Sequence, residues 1–197
     1  MSIDLLQVAC TVLGITVVVL NAQEKIIARP VGMASAIMSS FIYYPAGLYA
    51  KCLLNGIFLV LNLYGWYRWL YGGVHKTPLQ ISKTSPRTLI RVLLECLVGT
   101  AVLGSLLYQH SHADLPYWDS LHTAMCLTAQ WMLVNKKLEN WVLWVFADVL
   151  YVVVLYQKSL YLFSGLHVCY AFLAVYGHRI WRQSYQEQVD VASSTAV

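Results

Sequence analysis

KIIARPVGMASAIMSSFIYYPAGLYAKCLLNGIFLVLNLYGWYRW, residues 25–69, lies over KLENWVLWVFADVLYVVVLYQKSLYLFSGLHVCYAFLAVYGHRIW, residues 137–181, at a constant offset of 112 with no gap. Nine positions are identical: Lys25/Lys137, Tyr44/Tyr156, Leu48/Leu160, Tyr49/Tyr161, Leu54/Leu166, Leu61/Leu173, Tyr64/Tyr176, Gly65/Gly177 and Trp69/Trp181. Conservative pairs such as Ile37/Val149, Met38/Leu150 and Phe58/Tyr170 lie between them. Chance in so biased a composition gives only roughly three or four identities, so the two stretches read as copies of one duplicated unit. Duplicated membrane bundles carry their substrate at the interface between repeats, near the bilayer midplane, and the repeat therefore points toward transport.

Composition supplies the solvent. Only 11% of residues are charged and 59% are hydrophobic, with a mean hydropathy of +0.59. A soluble domain carries about 25% charged residues, so the chain reads as an integral membrane protein. Seven apolar stretches are predicted as spanning helices near 3–20, 30–46, 50–70, 88–109, 119–135, 139–156 and 160–181. Each approaches the roughly 20 residues needed to cross the hydrocarbon core. Pro30, Pro45, Gly47, Gly72, Gly73, Pro78, Pro86 and Pro116 punctuate them. The first stretch has Asp4 and no basic residue ahead of it, which favours a retained span over a signal peptide.

With seven spans, the basic residues fall on one side. Lys25, Arg29, Arg68, Lys76, Lys83, Arg87, Arg91, Lys136, Lys137, Arg179 and Arg182 share it, against Lys51 and Lys158 opposite. The rule that cytoplasmic loops are basic then places the N-terminus outside and the C-terminus in the cytoplasm. The spans divide as 3+1+3: residues 1–70 form the first three-helix repeat, 71–112 a cytoplasmic loop with a linker helix, 113–182 the second repeat, and 183–197 a cytoplasmic tail, expected to be disordered. Four spans separate equivalent helices, so the repeats are parallel, related by an axis along the membrane normal. Arg91 and Glu95 on the linker helix are placed for an i, i+4 ion pair.

The runs LLNGIFLVLNLYGWYRW at 53–69, YWDS at 117–120, AQWMLVNKKLENWVLWVFADVLY at 129–151, LYQKSLYL at 155–162 and FLAVYGHRIW at 172–181 resemble the PnuC family of vitamin transporters. The resemblance covers nearly the whole chain. It implies a SWEET-like fold in a cell inner membrane and facilitated diffusion of an unphosphorylated vitamin. Nicotinamide riboside, an NAD precursor, is the first candidate, with thiamine or another vitamin as the alternative. It further implies a homotrimer and a separate cytoplasmic kinase that phosphorylates the vitamin and traps it. Tyr176 stands where some nicotinamide riboside carriers are expected to have Asn.

Read as chemistry, the sixth span carries Trp141, Trp144, Asp148 and Tyr151 within about 80° of one face. A carboxyl near mid-span costs at least about 2.5 kcal/mol on insertion scales, so Asp148 faces the bundle interior or a wet cavity. It serves either as a hydrogen-bonded tie between helices or as the counter-charge for a cationic vitamin. On the third span Asn55, Asn62, Trp66 and Trp69 fall within about 60°, with Asn62 deep. Each buried amide needs a neighbour or a ligand, whereas Trp69, beside the basic loop, is expected as an interfacial anchor. Across the repeat His167 stands where Asn55 does, and Ala174 where Asn62 does. Thr123, Cys126 and Gln130 share a face of the fifth span, with His122 at its edge. The predicted site stacks a heteroaromatic ring on Trp66, Trp141, Trp144, Tyr151 and Tyr176, and reads its polar edges with Asn62, Thr123, Gln130, Asp148 and His167.

Other chemistry is sparse. The five cysteines are isolated in apolar spans, and His110, His112 and Asp114 read as a solvated loop, so no metal or cofactor is expected. The chain has no phosphate loop, HExxH or nucleophile elbow, and no nucleic-acid partner is expected beside the lipid bilayer and the vitamin. An intramembrane enzyme could draw only on His122, His167 and Asp148. A purely structural or sensory subunit does not need so many polar residues at mid-depth. No coupling ion is expected, since no second acid accompanies Asp148.

Overall fold

The computed structural model describes residues 5–44, 49–110 and 115–194. They form seven α-helices: α1 Leu5–Ala22, α2 Ala28–Tyr43, α3 Tyr49–Tyr71, α4 Pro86–His110, α5 Pro116–Val134, α6 Asn140–Gln157 and α7 Tyr161–Ser194. One 3-10 turn, Val74–Lys76, follows α3, and no strand occurs among the described residues. All seven predicted spans are helices. In hydrocarbon a segment must satisfy its own backbone, and the helix does so within the segment. Hydroxyls follow the same rule: Thr11, Thr16, Ser40, Thr100, Ser105, Ser120, Thr123 and Thr128 each donate to the carbonyl four residues back.

Helix ends recur at the offset of the sequence repeat. The ends of α1 and α5, the starts of α2 and α6, and the starts of α3 and α7 each lie 112 residues apart. The turn after α1 closes with Lys25 N–H donating to Leu20 C=O, and the turn after α5 with Lys137 N–H donating to Met132 C=O, both at 2.9 Å. Each closure passes through a residue in the left-handed region, Glu24 at φ 54° and Lys136 at φ 48°. This is the helix-ending turn that usually employs glycine.

By length and composition, Pro86–Gln109 and Asn140–Gln157 qualify as membrane spans, and Gln7–Ala22 is a shorter apolar helix. The outward face of α4 carries exposed Leu93, Leu94, Leu97, Val98, Val102 and Leu106, the surface expected against lipid chains. Arg91 and Glu95 form the predicted pair, at 3.7 Å and well exposed. The expectation of a disordered tail is corrected: α7 continues to Ser194. The stretch from 183 on contains no glycine or proline, and Gln183 Nε2 donates to Glu187 Oε1 one turn on.

Packing groups the chain into two compact units. The first holds the described residues up to Ile81, the turn Val134–Lys136, and α7 from Arg179 onward. Its core joins Ala22, Ala28, Ala36, Ile81 and Val134 to two buried indoles, Trp69 and Trp181. The second unit holds Ser82–Leu133 and Lys137–His178. Its core sets Trp141 among small and medium side chains, including Val92, Cys96, Ala124, Ala129, Met132, Ala147, Val154 and Ala174. The end of the loop just before α4 is tied down within this unit. Glu139 accepts from Thr84 N–H at 2.9 Å and from its hydroxyl at 2.6 Å, and Lys137 Nζ donates to Ser82 Oγ at 2.9 Å.

Candidate binding site

In the second unit α6 carries Asp148 inward, 6% exposed. Its Oδ1 lies 2.8 Å from His167 Nδ1 on α7. Around this pair the rings interlock. His122 of α5 stacks on Tyr151 with centroids 3.8 Å apart and planes 11° from parallel. His167 meets Tyr151 edge-on at 5.0 Å, His122 at 5.6 Å and Tyr170 at 5.9 Å. His122 Nε2 also contacts Cys126 Sγ at 3.5 Å. The result is a half-buried aromatic and polar cluster around a buried carboxyl, contributed by three helices.

The predicted residues distribute unevenly around it. Asp148, Tyr151 and His167 come together, and Gln130 is buried on α5. Trp144 is half-buried. Thr123 commits its hydroxyl to Asp119 C=O at 2.8 Å. Trp141 is buried against Gly177: a Cβ added there would meet three carbons of its ring at 2.7 Å. Tyr176 is exposed, as is its repeat partner Tyr64, each at 45%. His122, which sequence reading left at the edge of its helix, belongs to the centre of the cluster. Its i, i+4 spacing from Cys126 was the available signal. An apolar groove of about 470 Å³, lined by Trp118, Phe146, Val149, Leu150, Val153, Val154 and Gln157, lies on the face of α6 turned away from Asp148.

The first unit holds a second polar cluster. Asn62 is buried, but its Nδ2 donates to Phe58 C=O at 2.9 Å and its Oδ1 accepts from Arg29 Nη1 at 3.5 Å. Arg29 is wholly buried, donates to Asn21 Oδ1, and stacks its guanidinium 4.1 Å from the Trp69 ring. Lys136 Nζ approaches the same ring at 4.7 Å and pairs with Glu24 at 2.8 Å. Trp66 is exposed. Trp69 corrects the expectation of an interfacial anchor: it is 4% exposed, donates from Nε1 to Val134 C=O at 3.2 Å, and packs 6.1 Å from Trp181. Cation–π contact with two basic side chains holds it inside. Arg29 was counted in the sequence only for orientation. Its position 112 residues before Trp141, with each side chain lying on a repeat glycine, was the signal that could have singled it out.

Apolar helices that turn Leu, Val and Phe outward and enclose aromatic, polar and ionisable side chains define a helical membrane protein with a polar interior. The sequence model of the family described as nicotinamide mononucleotide transporter matches residues 4–183, and the chain belongs to that family. It is 26% identical to the nicotinamide riboside transporter PnuC of Escherichia coli (strain K12) over 90% of this chain and 85% of the relative, with the same figures for PnuC of Shigella flexneri. The crystal structure of the vitamin B3 transporter PnuC superposes with a TM-score of 0.70 over 90% of this chain and 80% of that one, at 22% identity. The resemblance read from the sequence holds, and the helical fold is shared.

Proposed function

We propose that the chain carries nicotinamide riboside across a cell inner membrane by facilitated diffusion, with a separate cytoplasmic kinase trapping the vitamin. The observation that carries this reading is Asp148, a buried carboxylate set among His122, Tyr151 and His167. A fixed cation on an aromatic ring needs a counter-charge and ring faces, and this cluster supplies both. Thiamine is the alternative cargo, favoured by the same carboxylate, since it too carries a permanent positive charge. Gln130, Trp141, Trp144 and Thr123 complete the wall contributed by the second unit; Asn62, Trp66 and Tyr176 remain candidates for later steps of the passage.

The architecture in this reading is two parallel three-helix repeats joined by α4, with the SWEET-like arrangement and a homotrimeric assembly. Two contacts between equivalent positions support it. Glu24 pairs with Lys136, and Trp69 packs on Trp181, each 112 residues apart. Equivalent residues of a duplicated unit touch each other only beside the axis that relates the copies.

Uptake of labelled nicotinamide riboside and thiamine into sealed vesicles tests the reading. Transport of either should be dissipated by a gradient in the opposite direction. Asp148→Asn should weaken binding of the cation about tenfold to a hundredfold, the value of one hydrogen bond to a charged group. Vesicles that accumulate neither vitamin would remove the proposal.

A further inference from the structure

Asp148 has a titratable partner at its own depth. Its Oδ1 sits 2.8 Å from Nδ1 of His167. An ionised carboxylate accepts the Nδ1–H of a neutral imidazole, and the pair then carries one negative charge. One more proton, on Nε2 of the ring, brings the pair to zero, and that proton belongs to the pair as a unit.

The groups facing the pair can be named from each helix around it. From α5 come His122, edge-on to His167, and Cys126, which lies within electrostatic reach of Asp148. Tyr151 faces it from α6 and Tyr170 from α7. Cys96 of α4 is in turn within electrostatic reach of Cys126. Neither a lysine or arginine nor a second carboxylate is among these neighbours. The negative charge therefore waits for a proton or for a cation from outside.

We propose that a cationic vitamin and a proton compete for this single charge, so that binding the vitamin expels the proton from His167. The inference rests on the proposed function. In the step, the N–H bond at Nε2 breaks, its electron pair stays on the imidazole, and the proton passes to solvent while the ligand's fixed charge takes its place. In the loaded site the ligand's fixed charge balances Asp148. Competition of this kind makes the cation bind more weakly in acid and more tightly as the pH rises.

Calorimetry on the purified full chain decides the matter. Nicotinamide riboside is titrated at several pH values in phosphate and in ACES, which differ in ionisation enthalpy. The observed heats should differ between the buffers by an amount that reports release of up to about one proton per ligand. Affinity should rise by up to about tenfold per pH unit on the acid side of the titration. Reduced dihydronicotinamide riboside, similar in shape but uncharged, should give equal heats in both buffers. Whatever affinity His167→Gln retains, its heats should be equal in both buffers; if that variant does not fold or bind, the two ligands on the native chain decide. Binding with equal heats in both buffers across the pH range would overturn the inference alone. No binding of nicotinamide riboside or thiamine in any buffer would overturn the proposed function with it.

Discussion

At the scale of single residues, the repeat glycines have a packing reason that identity alone does not give. A Cβ on Gly65 would lie 3.1 Å from Val134 Cγ2 and 3.2 Å from Arg29 Nη1, and a Cβ on Gly177 would lie 2.7 Å from three carbons of Trp141. Positions 29 and 141 are themselves 112 apart, so each copy lays a large side chain over the same bare turn of helix. Their tolerance differs. The contacts on Gly65 leave 3.1 Å or more, whereas the rigid, buried Trp141 indole leaves only 2.7 Å on Gly177. Gly177→Ala should therefore cost about 1–3 kcal/mol through overpacking, and Gly65→Ala less. Thermal unfolding of the purified variants checks the order, and Trp141→Phe should restore part of the loss in Gly177→Ala. Equal losses in the two alanine variants would show that rigidity of the overlying side chain is not what matters.

Among the elements, the closing turns after α1 and α5 place two charged residues where glycine is the cheaper choice. A side chain in the left-handed region costs about 1–2 kcal/mol, yet Glu24 and Lys136 both occupy it and bond to each other across 2.8 Å. The ion pair and the contact of Lys136 with Trp69 offset that strain. Lys136→Ala loses the pair and keeps the strain; Lys136→Gly loses the pair and relieves it. The glycine variant should be the more stable of the two by about 1 kcal/mol, read as the difference in their unfolding midpoints. These turns also mark what sequence could and could not reveal. Helix positions were legible because apolar length and breakers set them, and Pro30 sits in the first turn of α2 as a simple start; Pro45 lies outside the described residues. The inward partners of the helices were less legible. Nothing local announces that Arg29 is buried on Trp69, that Asn62 is engaged by Arg29, or that His167 reaches Asp148 from another helix. Those are tertiary contacts between residues 19 to 40 positions apart.

For the whole molecule, charge and orientation are one question. Eleven basic residues were assigned to one side and only Lys51 and Lys158 to the other. Lys158 is not a free charge: its Nζ lies 3.3 Å from Asp119 Oδ2, and both side chains are about one-quarter exposed. The orientation rule counts lysines and arginines and not net charge, so this pairing leaves the count of eleven against two as it stands. The N-terminus should lie outside and the long end of α7 in the cytoplasm. A cysteine placed at Ser193, with Cys169 and the other native cysteines replaced, should react with a membrane-impermeant maleimide in inverted vesicles and stay protected in intact cells. Asp119→Lys adds a basic residue outside and frees Lys158 at the same time, and it should leave the orientation intact, because eleven charges still oppose the few. Labelling of Ser193→Cys from outside intact cells would reverse the whole assignment, and with it the side on which the buried cluster of Arg29, Lys136 and Trp69 stands.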